Sequence, residues 1–354
     1  MNEGMLTNAA LGELLLQAAS DETDHRRRAL ERAARAARFW PEEAAELARA
    51  GRSLTELRAV GPWVAGQLQN WLDDPPPVPE PDPTRAGFLT YAEVRRALNV
   101  APDWERTPHG DLQVHSTDSD GALPLAEMAE AARTVGRTFI ASTDHSKSLR
   151  IANGMDESRL ADHNRLVDEL NQGYERAGDQ FTVLRSIEMD VFDDGSGDMD
   201  PAALATLDLV LGAFHTKLRV TEDSTERYLA ALRNPTVHVL AHPKARMYGR
   251  RVGLNADWPQ VFDEAARLGK AVEIDATPAR RDLNVELARI AVASGVRWFS
   301  IGGDAHAAEE LEFLPFGMAI AALAGVPRER VLNYRTAEDV VAWARSLRDG
   351  SGGP

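Results

Sequence analysis

The sequence predicts an α/β fold of parallel strands and helices behind a small all-α segment. Three observations predict it. From Gly110 onward, seven short apolar, β-branched runs alternate with amphipathic helical stretches. Residues 1–72 carry helical spacing and no strand pattern, and a proline-rich stretch separates the two regions. Strands alternating with helices indicate βαβ units and a parallel sheet, closed as a barrel or open as a doubly wound sheet.

Leu11, Leu14, Leu15 and Ala18 recur at helical spacing, and HRRRALERAARAARFW (25–40) continues with a helical period rich in Arg and Ala. Pro41 opens a further helix, a first-turn position that proline tolerates. LTELRAVGPWVAGQLQNWL (54–72) reads as a short helix, a Gly turn and a second helix. The linker, 73–87, carries six prolines between 73 and 85. It is extended and semi-rigid, since such a run suits neither a helix interior nor a central strand. FLTYAEVRRALN (88–99) is an amphipathic helix that opens the second domain, 88–354. The strands that follow are DLQVH (111–115), TFIAST (138–143), TVLRSI (182–187), DLVLGA (208–213), TVHVLA (236–241), AVEIDA (271–276) and RWFSIGG (297–303).

At 354 residues, 44% hydrophobic and 27% charged, the chain suits two or three soluble domains. No apolar run approaches the ~18–20 residues of a membrane helix. The N-terminus has no cationic leader, so a cytoplasmic protein with no membrane partner is expected. Cysteine is absent. Disulfides and thiolate ligands are therefore excluded, and any metal rests on His, carboxylate or water. A net charge of −15 excludes nucleic-acid binding by the surface as a whole. DNA contact then needs a local basic surface or bound cations.

Polar residues gather where the strands end. His115 follows the first run and Asp144-His145 the second. Glu188 and Asp190 follow the third, His215 the fourth and His242 the fifth; Asp275 ends the sixth, and Asp304 and His306 follow the seventh. Asp120, within STDSDG, adds a candidate in the first loop. In a parallel barrel these ends share one mouth, where active sites form. Each alone also reads as a loop or core residue, and Asp144 and Asp304 as helix caps. His25, His109, His163 and His238 read as structural. Together, so many buried carboxylates and imidazoles are costly without a cation. The candidates exceed what one ion can use, so two to three divalent ions, Zn, Mn, Fe or Mg, are expected. Ions about 3.5–4 Å apart clamp a phosphoryl group and generate hydroxide from water. Cations also follow the strands: Lys147 and Arg150, Lys217 and Arg219, Lys244, Arg246, Arg250 and Arg251, and Arg280 and Arg281. Singly they read as solvated loop charge; as a group they suit a phosphate-bearing substrate, with Lys147, Lys217, Lys244, Arg246 and Arg280 the candidates. The acidic loop 193–200 lacks the bidentate Glu of a calcium loop and reads as a turn plus helix cap.

GDLQVHSTDSDG, STDHS, IEMD, AFHTK, AHPKAR, EIDATPARRDL and GGDAH, in this order, resemble the PHP (polymerase and histidinol phosphatase) family. The likeness is to the PHP domain at the C-terminus of bacterial family X DNA polymerases and spans 108–345. It implies a distorted (β/α)7 barrel with a trinuclear metal centre. His115, Glu188 and Asp304 would hold one ion. Glu188 would bridge to a second on His215 and His242, and Asp120, His145 and His306 would hold the third. Arg246 matches a phosphate-binding position, so His115, Glu188, Asp304 and Arg246 are the implied catalytic residues. The family's first motif is often His-x-His, whereas this chain has Gln113-Val114-His115. As a ligand, Gln113 would be neutral and weaker, giving a looser first ion or a harder metal.

GRSLTELRAVGPWVAGQL (51–68) resembles the helix-hairpin-helix "8-kDa" domain of the same polymerases. Gly61 and Trp63 are then candidate DNA contacts, through backbone N–H groups at a helix N-terminus. The pattern departs at Ala59, usually Gly, and at Pro62 and Trp63, usually polar or basic. Pro62 also removes an N–H donor. A purely structural helical domain is the alternative. Between 72 and 108 there is no room for a polymerase palm, so a polymerase is not expected. The expected function is a metal-dependent phosphodiesterase acting on DNA, as a 3′–5′ exonuclease or 3′-end-processing repair enzyme. One alternative is a phosphomonoesterase of histidinol phosphatase type. Another is a DNA-binding scaffold with a degenerate metal site, for which Gln113 is the support.

Overall fold

The computed structural model describes residues 5–104 and 107–348. It forms two compact units, Met1–Val100 and Ala101–Pro354.

The first unit is all helical: Asn8–Ser20, Asp24–Ala37, Ala44–Arg49, Pro62–Asp73 and Tyr91–Asn99. Leu11, Leu15, Leu30, Trp40, Leu47 and Leu68 share its core. The predicted short helix near 54 is only a 3₁₀ turn, Leu54–Glu56. Leu57, the next residue, is extended and buried, which ends the turn. Pro62 sits at the start of its helix with Gly61 as N-cap, where its missing N–H breaks no helical hydrogen bond. The helix read as opening the barrel domain packs on this unit instead. The Tyr91 N–H donates to the Arg38 carbonyl at 2.7 Å, and Arg95 donates to the Pro41 carbonyl at 2.8 Å. A capping box formed by Thr90 and Glu93 fixes its start. Arg85, from the linker, pairs with Glu13 at 2.7 Å.

Ala59 has φ +65°, the left-handed conformation that glycine adopts freely. Ala59→Gly relieves a strain of about 1–2 kcal/mol, partly offset by chain entropy. The expected net gain is about 0.5–1 kcal/mol, read as a higher urea midpoint at unchanged m-value for the full chain. A lower midpoint would contradict it.

The second unit alternates strands and helices. Its strands are β1 Gly110–Val114, β2 Phe139–Ser142, β3 Thr182–Arg185, β4 Glu188–Asp190, β5 Leu211–Ala213, β6 Val239–Leu240, β7 Ala271–Asp275 and β8 Trp298–Gly302. All pairings between them are parallel, in two sheets, β1-β2-β3 and β4-β5-β6-β7-β8. The third predicted run is therefore split. β3 pairs with β2, β4 pairs with β5, and Ser186–Ile187 break the strand between them. Two seams close the ring. At one, the His115 N–H donates to the Ala305 carbonyl at 2.9 Å. At the other, the Ser146 N–H donates to the Glu188 carbonyl at 3.1 Å, and the Glu188 N–H to the Asp144 carbonyl at 3.2 Å. Seven strand passes thus form a distorted parallel barrel.

Val114, Ile140 and Val183 pack outward against Met128, Ala132 and Val167 of the helices Leu125–Thr134 and Glu157–Arg176. Asp156, Asp257 and Asn284 cap helices with their side chains, so each helix starts at a fixed place after its strand. In the acidic loop, Asp194 accepts from Ser196 and Asp200 caps Pro201–Leu204, the predicted turn and cap. Among the described residues, no helix is long and apolar enough to cross a membrane.

Candidate metal centre

The barrel mouth collects imidazoles around one carboxylate. Glu188, at the start of β4, is buried. Its Oε1 lies 2.6 Å from His242 Nε2 and 3.2 Å from His215 Nε2. Its Oε2 lies 3.1 Å from His145 Nδ1 and 3.6 Å from His115 Nε2. Asp304 Oδ1 lies 3.2 Å from His115 Nε2, and Asp120 Oδ1 lies 3.3 Å from His306 Nε2. Asp304 (φ +45°) and His242 (φ +25°) both hold left-handed backbone, strain of a kind concentrated at functional sites.

These donors form three groups that could hold an ion: His115, Asp120, His145 and His306; His145, Glu188 and His215; and His115, Glu188 and Asp304. The groups share His115, His145 and Glu188. Both ring nitrogens of His115 and of His215, and Glu188 Oε2, are buried without a well-directed hydrogen bond. Orphaned polar atoms at such density fit bound cations. The donor set is nitrogen and oxygen, which suits Zn, Mn, Fe or Mg.

The charges are strongly coupled. Burial opposes ionisation of Glu188, yet His145, His215 and His242 hold it well below the usual carboxylate range. Asp304 is likewise held low by Arg280 and His115 against burial. His145 is pushed down to about 4 by burial, with His115 and His215 adding to it. His215 goes up to about 9, where Glu188 and Asp190 outweigh burial. His306 goes up to about 10, where Asp120 and Asp304 do so. At pH 7 His215 and His306 therefore carry protons that a metal must displace. Metal binding is expected to release about two protons, and affinity to rise with pH toward 9–10. Calorimetry in buffers of different ionisation enthalpy checks this; no proton release would refute it.

The predicted residues sort clearly. His115, Asp120, His145, Glu188, His215, Asp304 and His306 come together. His242 joins through Glu188 rather than through one of the three groups. Gln113 does not join. Its carboxamide faces Glu273, with the nitrogen 2.8 and 3.1 Å from the two carboxylate oxygens once the amide is oriented to satisfy both. Glu273 in turn accepts the His242 N–H at 2.7 Å. Gln113 is thus drawn off as a donor to β7.

The cations divide too. Arg280 Nε lies 3.1 Å from Asp304 Oδ2 and 3.5 Å from Asp275 Oδ2, and these carboxylates raise its pKa against burial. Arg246 is buried, and its N–H faces Asp282 Oδ2 at 3.4 Å. Lys244 donates to the Leu254 carbonyl at 3.2 Å. Lys147 pairs with Glu157 at 2.6 Å, and Lys217 pairs with Asp193. Arg281, counted among the mouth cations, is fully buried with its guanidinium 4.4 Å from the Phe316 ring centroid. His238 is buried, its Nδ1 accepting the Val210 N–H, and burial pushes it down to about 3.

Several buried acids escaped the strand-end reading. Asp111, Glu273 and Asp282 are fully buried; Asp111 rises to about 6 and Glu273 well above its usual range, burial being the main cause of both. The signal was present: Asp111, Gln113 and His115, like Glu273 and Asp275, alternate along their strands and line one face. Asp190 Oδ1 lies 3.4 Å from His215 Nδ1, a charge contact rather than a well-directed hydrogen bond.

In the helical unit, Gly61 and Trp63 line a cleft of about 440 Å³ with His25, Arg26 and Arg32. Trp63 is 41% exposed, and the Arg26 guanidinium lies 5.3 Å from its ring centroid.

No family model matches the chain. It is 38% identical over 237 residues to the "DNA polymerase/3′-5′ exonuclease PolX" of Bacillus subtilis, which covers 67% of this chain and 41% of that protein. It is 28% identical over 237 residues to a probable phosphatase of Tolumonas auensis, covering 63% of this chain and 88% of that one. Among solved structures, a histidinol phosphate phosphatase of Lactococcus lactis, complexed with zinc, L-histidinol and phosphate, aligns loosely. Its TM-score is 0.40 at 14% identity, over 70% of this chain and 95% of that chain.

Proposed function

We propose that the barrel, similar to a PolX exonuclease and to probable phosphatases, is a PHP-type phosphoesterase domain and that the chain is a metal-dependent phosphodiesterase acting on DNA 3′ ends. The observation that carries the chemistry is the trio of donor groups sharing His115, His145 and Glu188. Such sharing would bring two to three ions next to one another. His115, Glu188 and Asp304 would hold one. Glu188 and His215, with His145 or His242, would hold the second, and Asp120, His145 and His306 the third. When bound, such ions would supply Lewis acidity toward a phosphoester and activate water near neutral pH. The chain's own residues do the rest. Arg280 sits beside Asp304, where its fixed positive charge orients a phosphate oxygen. Arg246 and Lys244 stand on the loop after β6, pinned by Asp282 accepting both backbone N–H groups. Glu273 holds the His242 backbone in place, and the Asp190 carboxylate lies beside the His215 ring.

The DNA assignment draws on the likeness to an exonuclease and on the helical unit, whose cleft offers an exposed indole beside two arginines. An aromatic face beside cations suits single-strand stacking and phosphate contact. A cytoplasmic location fits this reading. A second reading, a small phosphomonoesterase, is favoured by the probable phosphatase of which this chain covers 88%. One panel separates them: Mn²⁺-loaded protein with 5′-labelled single-stranded DNA, abasic duplex and histidinol phosphate. A ladder shortening from the 3′ end supports the proposal. Turnover of the small ester alone overturns it in favour of the second reading. No turnover with retained DNA binding favours a scaffold.

A further inference from the structure

Behind the metal centre, one carboxylate and one imidazole tie two donor-bearing loops to a helix. Asp144 follows β2, is fully buried, and directly precedes His145. It accepts the Ser116 N–H at 2.8 Å, the Ser116 hydroxyl at 2.8 Å, the Ser119 hydroxyl at 2.5 Å and the Ser142 hydroxyl at 3.3 Å. Three of these donors belong to the loop that carries Asp120. His163 meets the same loop from the helix Glu157–Arg176. Its Nδ1 lies 2.6 Å from Asp118 Oδ2, and its Nε2 lies 3.0 Å from Ser142 Oγ. Asp118 donates its N–H to Ser116 Oγ at 3.1 Å. The brace is closed: helix, first loop and the end of β2 are joined through Asp118, His163, Ser142 and Asp144.

Asp118, Asp144 and His163 also lie close enough together to hold an ion of their own. The hydrogen bonds argue otherwise. Asp144 already accepts four donors, and both ring nitrogens of His163 are engaged. We infer that His163 is a positioning residue whose brace through Asp118 and Asp144 fixes Asp120 and His145 for the ion shared with His115 and His306. The inference rests on the reading of the barrel as a metal centre. Groups that orient metal ligands from behind typically govern metal affinity by about 10–100-fold. Asp120 needs the help most, because its side chain is 36% exposed and its loop ends at the mouth.

The test uses full-length wild type, His163→Phe, Asp118→Ala and Asp118→Asn, each loaded with Mn²⁺. Bound metal per chain, the Mn²⁺ EPR spectrum and thermal unfolding are measured. In His163→Phe and Asp118→Ala, one ion of the spin-coupled cluster is expected to bind about 10–100-fold more weakly while the others stay. Asp118→Asn keeps an acceptor for His163 and is expected to keep the full complement. Full affinity in both disrupting variants overturns the inference. So does loss of every ion together with a collapsed melting point in Asp118→Ala. Loss of a magnetically isolated ion would assign Asp118, Asp144 and His163 a site of their own and overturn it too. A wild type that binds no ion overturns the metal reading and this inference together; the other failures leave that reading standing.

Discussion

Glu188→Gln is expected to lower phosphoester turnover by about 10³-fold or more, with a matching loss of bound metal. Glu188 belongs to two of the three donor groups and is within 3.6 Å of four imidazoles. The amide keeps the shape. It loses the charge, and one oxygen becomes an NH₂ that points a donor at imidazoles meant to face a cation. In the wild type His145, His215 and His242 hold the carboxylate ionised against burial, and an amide does not titrate, so raising the pH does not rescue the variant. Turnover under saturating Mn²⁺, with metal content on the same sample, checks it. Activity within tenfold of wild type at normal metal content would remove Glu188 from the centre.

Gly154→Ala is expected to be the most destabilising small substitution near the mouth, at about 3–4 kcal/mol. A Cβ there would stand 1.9 Å from the Ser146 carbonyl oxygen and 2.6 Å from its carbon. Both are backbone atoms, and neither side is free to yield. The Ser146 N–H is bound to the Glu188 carbonyl, Ser146 Oγ accepts the Asp190 N–H at 2.8 Å, and the His145 carbonyl accepts the Met155 N–H at 2.7 Å. For a unit of this size the loss corresponds to about 10 °C in Tm by scanning calorimetry. His145 moves with the clash, so metal affinity falls as well. A Tm within about 2 °C of wild type would show that the 146–155 loop swings clear.

Much of the barrel and its mouth is legible in the sequence because local periodicity and residue type coincide there. Each strand run carries a His or an acid at its end or within three residues after it, and six of those residues converge as donors with Asp120 of the first loop. What is not legible depends on partners far along the chain. The break between β3 and β4 reflects a change of hydrogen-bonding neighbour from β2 to β5, which no local pattern encodes. Gln113 resembles a ligand by position, but its fate is set by Glu273 on β7. His163 looks like an ordinary core residue of its helix, because its polar partners lie on two other loops. The helix Tyr91–Asn99 follows the linker in sequence, yet its hydrogen bonds run back to Arg38 and Pro41. Ala59 is the reverse case. A residue out of character for its turn keeps the glycine-like backbone and takes the strain.

The split strand has a consequence for assembly. The barrel is two half-shells meeting at two joins. His115, Asp120 and His145 come from the earlier half; Glu188, His215, Asp304 and His306 come from the later one. Each of the three donor groups takes residues from both halves. An ion held by any of them is therefore a weld across the join, and its binding free energy adds to closure of the barrel. Stripping the metal then loosens the molecule first along its joins, and within each sheet last.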